Sequence, residues 1–257
     1  MVERKKGLVI SAVVIVALAL VPLFTAREYV FSILCMLFLY VTLSQSWNIL
    51  GGYTGQINVG QAAFFGIGAL VARLLWVAGV PFYLSILAGG LGSVVLASII
   101  GLPALKLRGH YFAIGTLAVA TIAQITVGNI LPGISFLPAQ HMATYSLIPR
   151  YYVFLIIMAA ALAAIFLTVN SRIGLGMEAT RDDEEAAQMV GVNTFKYKMT
   201  AFLISSFFAG LAGGGFAYFN ASYYWYLPFT LMWCFEPILI VFIGVVGSFL
   251  GPVIGSV

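Results

Sequence analysis

Charge is scarce in this chain. Twelve Lys and Arg and eight Asp and Glu make up 8% of its 257 residues. A water-soluble fold of that length needs far more charge to cover its surface, which excludes a soluble domain. Cysteine is nearly absent. Cys35 and Cys234 both fall in apolar runs, where a thiol is a soft packing group, so neither a disulfide nor a metal pair is expected. His110 and His141 have no His, Cys or acid at ligand spacing, and no metal site is expected. There is no G-x-x-x-x-G-K-[ST] pattern, so the chain does not cradle nucleotide phosphates in the usual way. No nucleophile–base–acid arrangement occurs, and neither catalysis nor a cofactor is expected. The net charge of +4 comes without a basic patch interleaved with aromatics, so nucleic acid is not an expected partner.

What the chain has is apolar length. It is 62% hydrophobic, with a mean hydropathy of +1.08. Runs of about twenty apolar residues recur, each able to cross a hydrocarbon core about 30 Å thick. Lipid gives the backbone no hydrogen-bond partners, so spans are helices or closed barrels. The runs are continuous rather than alternating, which excludes a barrel. The expected fold is a single all-α polytopic transmembrane bundle over 1–257, with spans near 8–24, 30–50, 57–80, 82–105, 111–131, 150–169, 199–219 and 229–247. The first run follows Arg4-Lys5-Lys6 and lacks a small-residue cleavage site, so it reads as a retained signal anchor.

Basic residues set the expected orientation in a cytoplasmic membrane. With the N-terminus inside, Arg4, Lys5, Lys6, Lys106, Arg108, Arg172, Arg181, Lys196 and Lys198 lie on the cytoplasmic side, and only Arg27 and Arg150 lie outside. Residues 131–149 then form an external loop, where Pro132, Pro138 and Pro149 prevent a continuous helix.

Two stretches break the apolar pattern at membrane depth. One runs from Gly51 to Gln61 and carries Gln56, Asn58 and Gln61. The other runs from Gly244 to Gly255. Non-helical backbone there is tolerated only where protein buries it or water reaches it, and paired interruptions point to a transport path built from broken helices. Ordinary interhelical turns are the alternative.

The one polar island is Asn170–Lys198. It holds Arg172, Glu178, Arg181, Asp182, Asp183, Glu184, Glu185, Lys196 and Lys198, which is nine of the twenty charged side chains. Residues 174–191 read as one short helix, with Arg181 and Glu185 four apart on one face and Gly191 as its C-terminal cap. A short helix of mixed charge and small alanines suits a groove in a soluble partner. Within the spans lie Arg73 and Glu236, each costing at least about 2.5–3.5 kcal/mol to insert. Both are expected about 10 Å below the outer surface, where they approach each other or share a polar cavity on the transport path. The alternative is that Arg73 snorkels outward and Glu236 sits in a wet kink beside Pro237.

Several of these motifs resemble a known family. Glu185-Ala186-Ala187, three residues, then Gly191 is similar to the EAA-x-x-x-G loop of ABC-importer permeases. The run from Asn48 to Ala69 resembles the N-L-L-x-G-Y-x-G-Q-x-S-L-G-H-A-A-F-F-G-I-G-A stretch of LivM-type permeases of branched-chain amino acid importers. Arg108-Gly109-His110-Tyr111-Phe112-Ala113, Ser171-Arg172-Ile173-Gly174 and Ala201-Phe202-Leu203-Ile204-Ser205 fit the same family. The resemblance implies separate ATP-binding subunits docked on the loop around Arg181, Asp182, Asp183, Glu184, Glu185, Ala186, Ala187 and Gly191. It also implies a second permease subunit and an extracytoplasmic substrate-binding protein. The expected cargo is branched-chain or other hydrophobic amino acids, with urea, short amides or simple sugars as the alternative. Asn58 replaces the family's usual Ser, Gln61 its His and Val245 a Gly. The family continues through a further span, so the chain is expected to be a truncated piece.

Overall fold

The computed structural model describes residues 17–22, 27–137 and 146–256. It is built from α1 (Glu28–Thr54), α2 (Gln61–Val77), α3 (Phe82–Ala104), α4 (His110–Ile130), β1 (Ile134–Phe136), α5 (Leu147–Val169), α6 (Arg172–Asp182), α7 (Glu184–Met189), α8 (Thr194–Phe219), β2 (Ser222–Tyr224), a single 3-10 turn (Leu227–Phe229), α9 (Met232–Ile243) and α10 (Gly251–Gly255). Five helices are long and apolar enough to cross a membrane: α1, α3, α4, α5 from Ile148, and α8. The protein is a polytopic helical membrane protein. The spans expected near 57–80 and 229–247 are shorter apolar helices of 17 and 12 residues, α2 and α9. The expected span 8–24 falls largely outside the described residues, which are helical at 17–22.

α8 from Phe208 to Tyr218 and the second half of α1 are enclosed on all sides. Every residue from Val41 to Thr54 is buried. α4, by contrast, exposes Tyr111, Ile114, Ile122, Ile125 and Ile130. A helix that is apolar all round belongs inside a bundle or in lipid, and the two environments are divided between these elements. α8 packs against α2 and α3 through backbone. A Cβ on Gly68 would collide with the Gly210 carbonyl, and one on Gly213 with the Phe65 carbonyl. Small residues let these helices approach without an intervening side chain. Ser93 adds an interhelical bond, donating to the Phe64 carbonyl at 2.7 Å.

The segment after α4 has one feature the sequence reading lacks. β1 pairs antiparallel with β2, Ile134 opposite Tyr224. Three-residue strands carry no hydrophobic periodicity long enough to be read from sequence. Residues 138–145, including Pro138 and His141, lie outside the described residues.

Candidate coupling site

The polar island folds as two helices, not one. Ser171 caps α6, its hydroxyl accepting from the Ile173 N–H at 3.1 Å. Asp183 then ends α6 in extended backbone (φ −157°, ψ 109°) and caps α7, its carboxylate accepting from the N–H groups of Glu185 and Ala186 at 2.9 and 3.0 Å. An Asp that satisfies the first free N–H groups of a new helix competes with continuing the old one. The expected continuous helix over 174–191 is therefore broken, and Arg181 and Glu185 do not share a face. Arg181 pairs with Asp182 at 3.2 Å, and Glu185 pairs with Arg108 at 3.0 Å. The C-terminal cap falls where expected. Gly191 adopts φ 87°, the Val192 N–H bonds the Ala187 carbonyl at 2.9 Å, and the Gly191 N–H bonds that of Gln188 at 3.0 Å. This double return is the Schellman closure, which needs a left-handed residue at that point.

α7 is tied to α8 by buried charge. Lys198 Nζ lies 2.6 Å from Glu184 Oε2, with the lysine side chain 2% exposed and the glutamate 27%. Thr194 donates to Glu184 Oε1 at 3.3 Å and accepts from Gln188 Nε2 at 2.8 Å. Only Ala187 of α7 is buried. Met189, the last residue of α7, and its C-cap Val190 are 90% and 80% exposed, the most exposed large hydrophobic residues among those described.

α6 reaches the broken helices. Arg181 Nη1 donates to the Gly52 carbonyl at 3.1 Å and lies over Gly55 and Gly247, within 3.3 and 3.0 Å of where their Cβ atoms would stand. Asn48 joins the two interruptions. Its Oδ1 accepts from the Gly247 N–H and its Nδ2 donates to the Ser248 carbonyl, both at 2.9 Å. Gln45 donates to the Phe249 carbonyl beside them. The first interruption is shorter than expected. α1 continues through Gly51, Gly52, Tyr53 and Thr54, and only 55–60 leave the helix. Asn58 and Gln61 hold this loop closed. Asn58 Nδ2 donates to Gln61 Oε1 at 3.0 Å, and Gln61 Nε2 donates to the Ser46 hydroxyl at 2.7 Å. The Trp47 indole N–H donates to the Asn58 carbonyl at 2.6 Å. Both side chains are fully buried, and Gln56 nearly so.

The intramembrane charges have separate partners, so the expected pairing of Arg73 with Glu236 does not form. Arg73 donates to the carbonyls of Asn220 and Ala221 at 2.6 and 3.2 Å, and its guanidinium lies 4.9 Å from the Tyr223 ring centre. It is fully buried and does not snorkel to water. Carbonyls at a helix C-terminus carry partial negative charge and suit a cation. Arg150 approaches the same end of α8, donating to the Phe219 carbonyl at 3.4 Å, and lies 3.8 Å from Glu28. Burial pushes the Tyr223 phenol up to about 12 against the pull of Arg73, so the ring stays neutral at physiological pH. Glu236 instead accepts from the Tyr40 hydroxyl at 2.9 Å.

Comparison with known proteins bears on what this arrangement serves. The family described as "Branched-chain amino acid transport system / permease component" matches residues 29–257. The chain belongs to this permease family. It is 29% identical over 246 residues to the high-affinity branched-chain amino acid transport system permease protein LivM of Salmonella typhimurium, which covers 83% of this chain and 57% of that protein. It is 28% identical, with the same coverage, to LivM of Escherichia coli K12. The permease chain thus spans rather more than half the length of these curated relatives. No solved structure matches it.

Several residues of the site escaped the sequence reading of this permease. Lys196 and Lys198 stand as equivalent basic residues before a span, yet Lys196 is exposed and Lys198 buried. Their positions on α8 offered a signal, since residues two apart on a helix do not share a face. Asn48 and Gln45, three apart on α1, were legible as a polar stripe in an apolar run. Their partners some 200 residues away were not.

Proposed function

We propose that this chain is a permease subunit of an ATP-driven importer for branched-chain amino acids, with its N-terminus in the cytoplasm of an inner-membrane system. On this reading the described helices form one permease domain and 170–198 is its cytoplasmic coupling loop. A separate ATP-binding subunit seats on α7. A second permease subunit completes the translocation path, and an extracytoplasmic binding protein delivers the cargo. The observation that carries the reading is the exposure of Met189 and Val190 at the end of a helix that is locked to α8 through Glu184 and Lys198. Apolar side chains presented in a polar loop, away from lipid, suit a protein partner.

In this mechanism nucleotide binding moves the ATP-binding subunits, and α7 moves with them. α7 cannot slide on α8 without separating a buried ion pair, so the displacement passes to the span. Arg181 carries the same motion to Gly52 and Gly247, where the two broken helices meet. Cargo and nucleotide bias the two arrangements only through differential affinity for them. The test is Met189→Glu with Val190→Glu in the assembled importer. Loss of co-purifying ATP-binding subunit and of leucine uptake, with membrane insertion unchanged, is the expected result. Full uptake with both glutamates in place refutes docking on α7.

A further inference from the structure

The geometry points to Glu236 as the group that binds the ammonium of the transported molecule, with Tyr40 and Trp233 forming the rest of that site. This rests on the importer reading and specifies which chemistry the path selects.

Depth is the first argument. Tyr40 lies twelve residues after Glu28 and fourteen before Thr54 in α1. At about 1.5 Å per residue it is roughly 18 and 21 Å from the two ends of that span. Glu236, bonded to the Tyr40 hydroxyl at 2.9 Å, therefore stands near mid-membrane, deeper than its place in the sequence suggests. Substrate sites of transporters built from broken helices lie at this level.

The second argument is charge. A carboxylate at that depth needs a cation or a wet cavity, and the buried cations among the described residues are committed elsewhere. Arg73 and Arg150 serve the end of α8, while Lys198, Arg108 and Arg181 pair with Glu184, Glu185 and Asp182. Among the described residues no basic side chain forms an ion pair with Glu236, and the Tyr40 hydroxyl engages one oxygen only. Glu236 is also reachable. It is partly exposed on a face of α9 shared with exposed Met232 and Leu239.

The third argument is the wall beside it. Trp233 stacks on Tyr40 with centroids 6.0 Å apart and is backed by Phe65 at 4.5 Å and Phe216 at 5.2 Å. A carboxylate and a phenol oxygen together suit a primary ammonium, and the aromatic edge beside them suits an aliphatic side chain. Urea or a sugar carries no cation for Glu236 to bind, so this constellation favours amino acids over the neutral alternatives.

The experiment uses the assembled importer in nanodiscs. Binding of leucine, 3-methylbutylamine (leucine without its carboxylate) and 4-methylpentanoate (leucine without its amine) is measured in wild type and in Glu236→Gln. The wild type is expected to bind leucine and the amine but not the acid. Glu236→Gln is expected to weaken the first two on the order of tenfold or more, while Glu236→Asp retains part of the binding. Unchanged amine binding in Glu236→Gln overturns the inference. So does loss of the second permease subunit from Glu236→Gln on size exclusion, since the counter-ion is then a cation of that partner. Wild-type binding of the amine without leucine binding or uptake leaves the site standing and removes the amino-acid reading instead.

Discussion

Breaking the buried contact between α7 and α8 has an asymmetric outcome that can be worked from its geometry. Glu184→Ala leaves the Lys198 ammonium almost fully enclosed, without its counter-charge at 2.6 Å and without the acceptor that Thr194 also uses. Removing one partner of a buried pair costs about 3–5 kcal/mol. The lower end applies here because the glutamate is partly wet. Lys198→Met keeps the aliphatic stem and leaves Glu184, which can turn toward water, so that loss is nearer about 1 kcal/mol. The double variant removes both charges and is expected to recover most of the first loss. The assay is hydrogen exchange of the amides in 185–191, which reports local opening of α7. A loss of about 3 kcal/mol raises the opening constant about 150-fold. If Glu184→Ala exchanges at the wild-type rate, or Lys198→Met is the more damaging single change, the pair does not hold α7 and the rigid-coupling argument fails.

Four further variants have outcomes that follow from the structure. Gly191→Ala meets no atom within 4 Å but must hold φ 87°, so it should destabilise the loop by about 1 kcal/mol and lower uptake partially. Gly191→Pro also removes the N–H that bonds Gln188 and should abolish uptake with insertion intact, as followed by transport and membrane fractionation. Arg181→Lys loses the fork that serves Asp182 and Gly52 at once, so leucine uptake per ATP hydrolysed should fall in reconstituted importer, and an unchanged ratio counts against its role. Val245 stands at φ 77°, a region that strains a β-branched residue, so Val245→Gly should leave thermal stability in detergent equal or higher. A clear drop would show that the valine side chain packs usefully against a neighbour.

Composition alone made the bundle legible, because nothing but lipid or protein interior accommodates such long apolar runs. The motif from Asn48 to Ala69 and the alanine–glycine spacing after Glu185 located both the broken helix and the loop. What sequence could not supply were decisions between near-equal local states. Whether Asp183 extends one helix or caps the next turns on two hydrogen bonds, and whether Gly51 and Gly52 leave α1 turns on how closely Gly247 approaches. Arg73 and Glu236 were legible as unusual, since each stands alone in apolar sequence. Their partners were not, because opposite charges at membrane depth attract only if the fold brings them together, and here backbone carbonyls and a tyrosine stand nearer.

α8 is the element on which these observations meet. It is 26 residues long, about 39 Å at 1.5 Å per residue, enough to run from one face of a membrane to the other. At its start Lys198 is fixed to α7, and at its end Arg150 holds the Phe219 carbonyl against α5 while Arg73 holds the next two carbonyls against α2. Its middle meets the α2 backbone at Gly68 and Phe65, and meets α3 at Gly90, Ser93 and Ile86. A helix held at both ends and seated on backbone at its centre transmits a displacement more than it absorbs it. The non-helical connections are the loops at 55–60 and 244–250, which touch α6 through Arg181 and α1 through Asn48. A push on α7 therefore has two routes, one along α8 to the β1–β2 end and one through Arg181 into the broken helices. The second route leads through 244–250 to α9, which carries Glu236. If import requires the site at Glu236 to change sides, the second route has to move, so Arg181→Lys should impair uptake more than it impairs assembly.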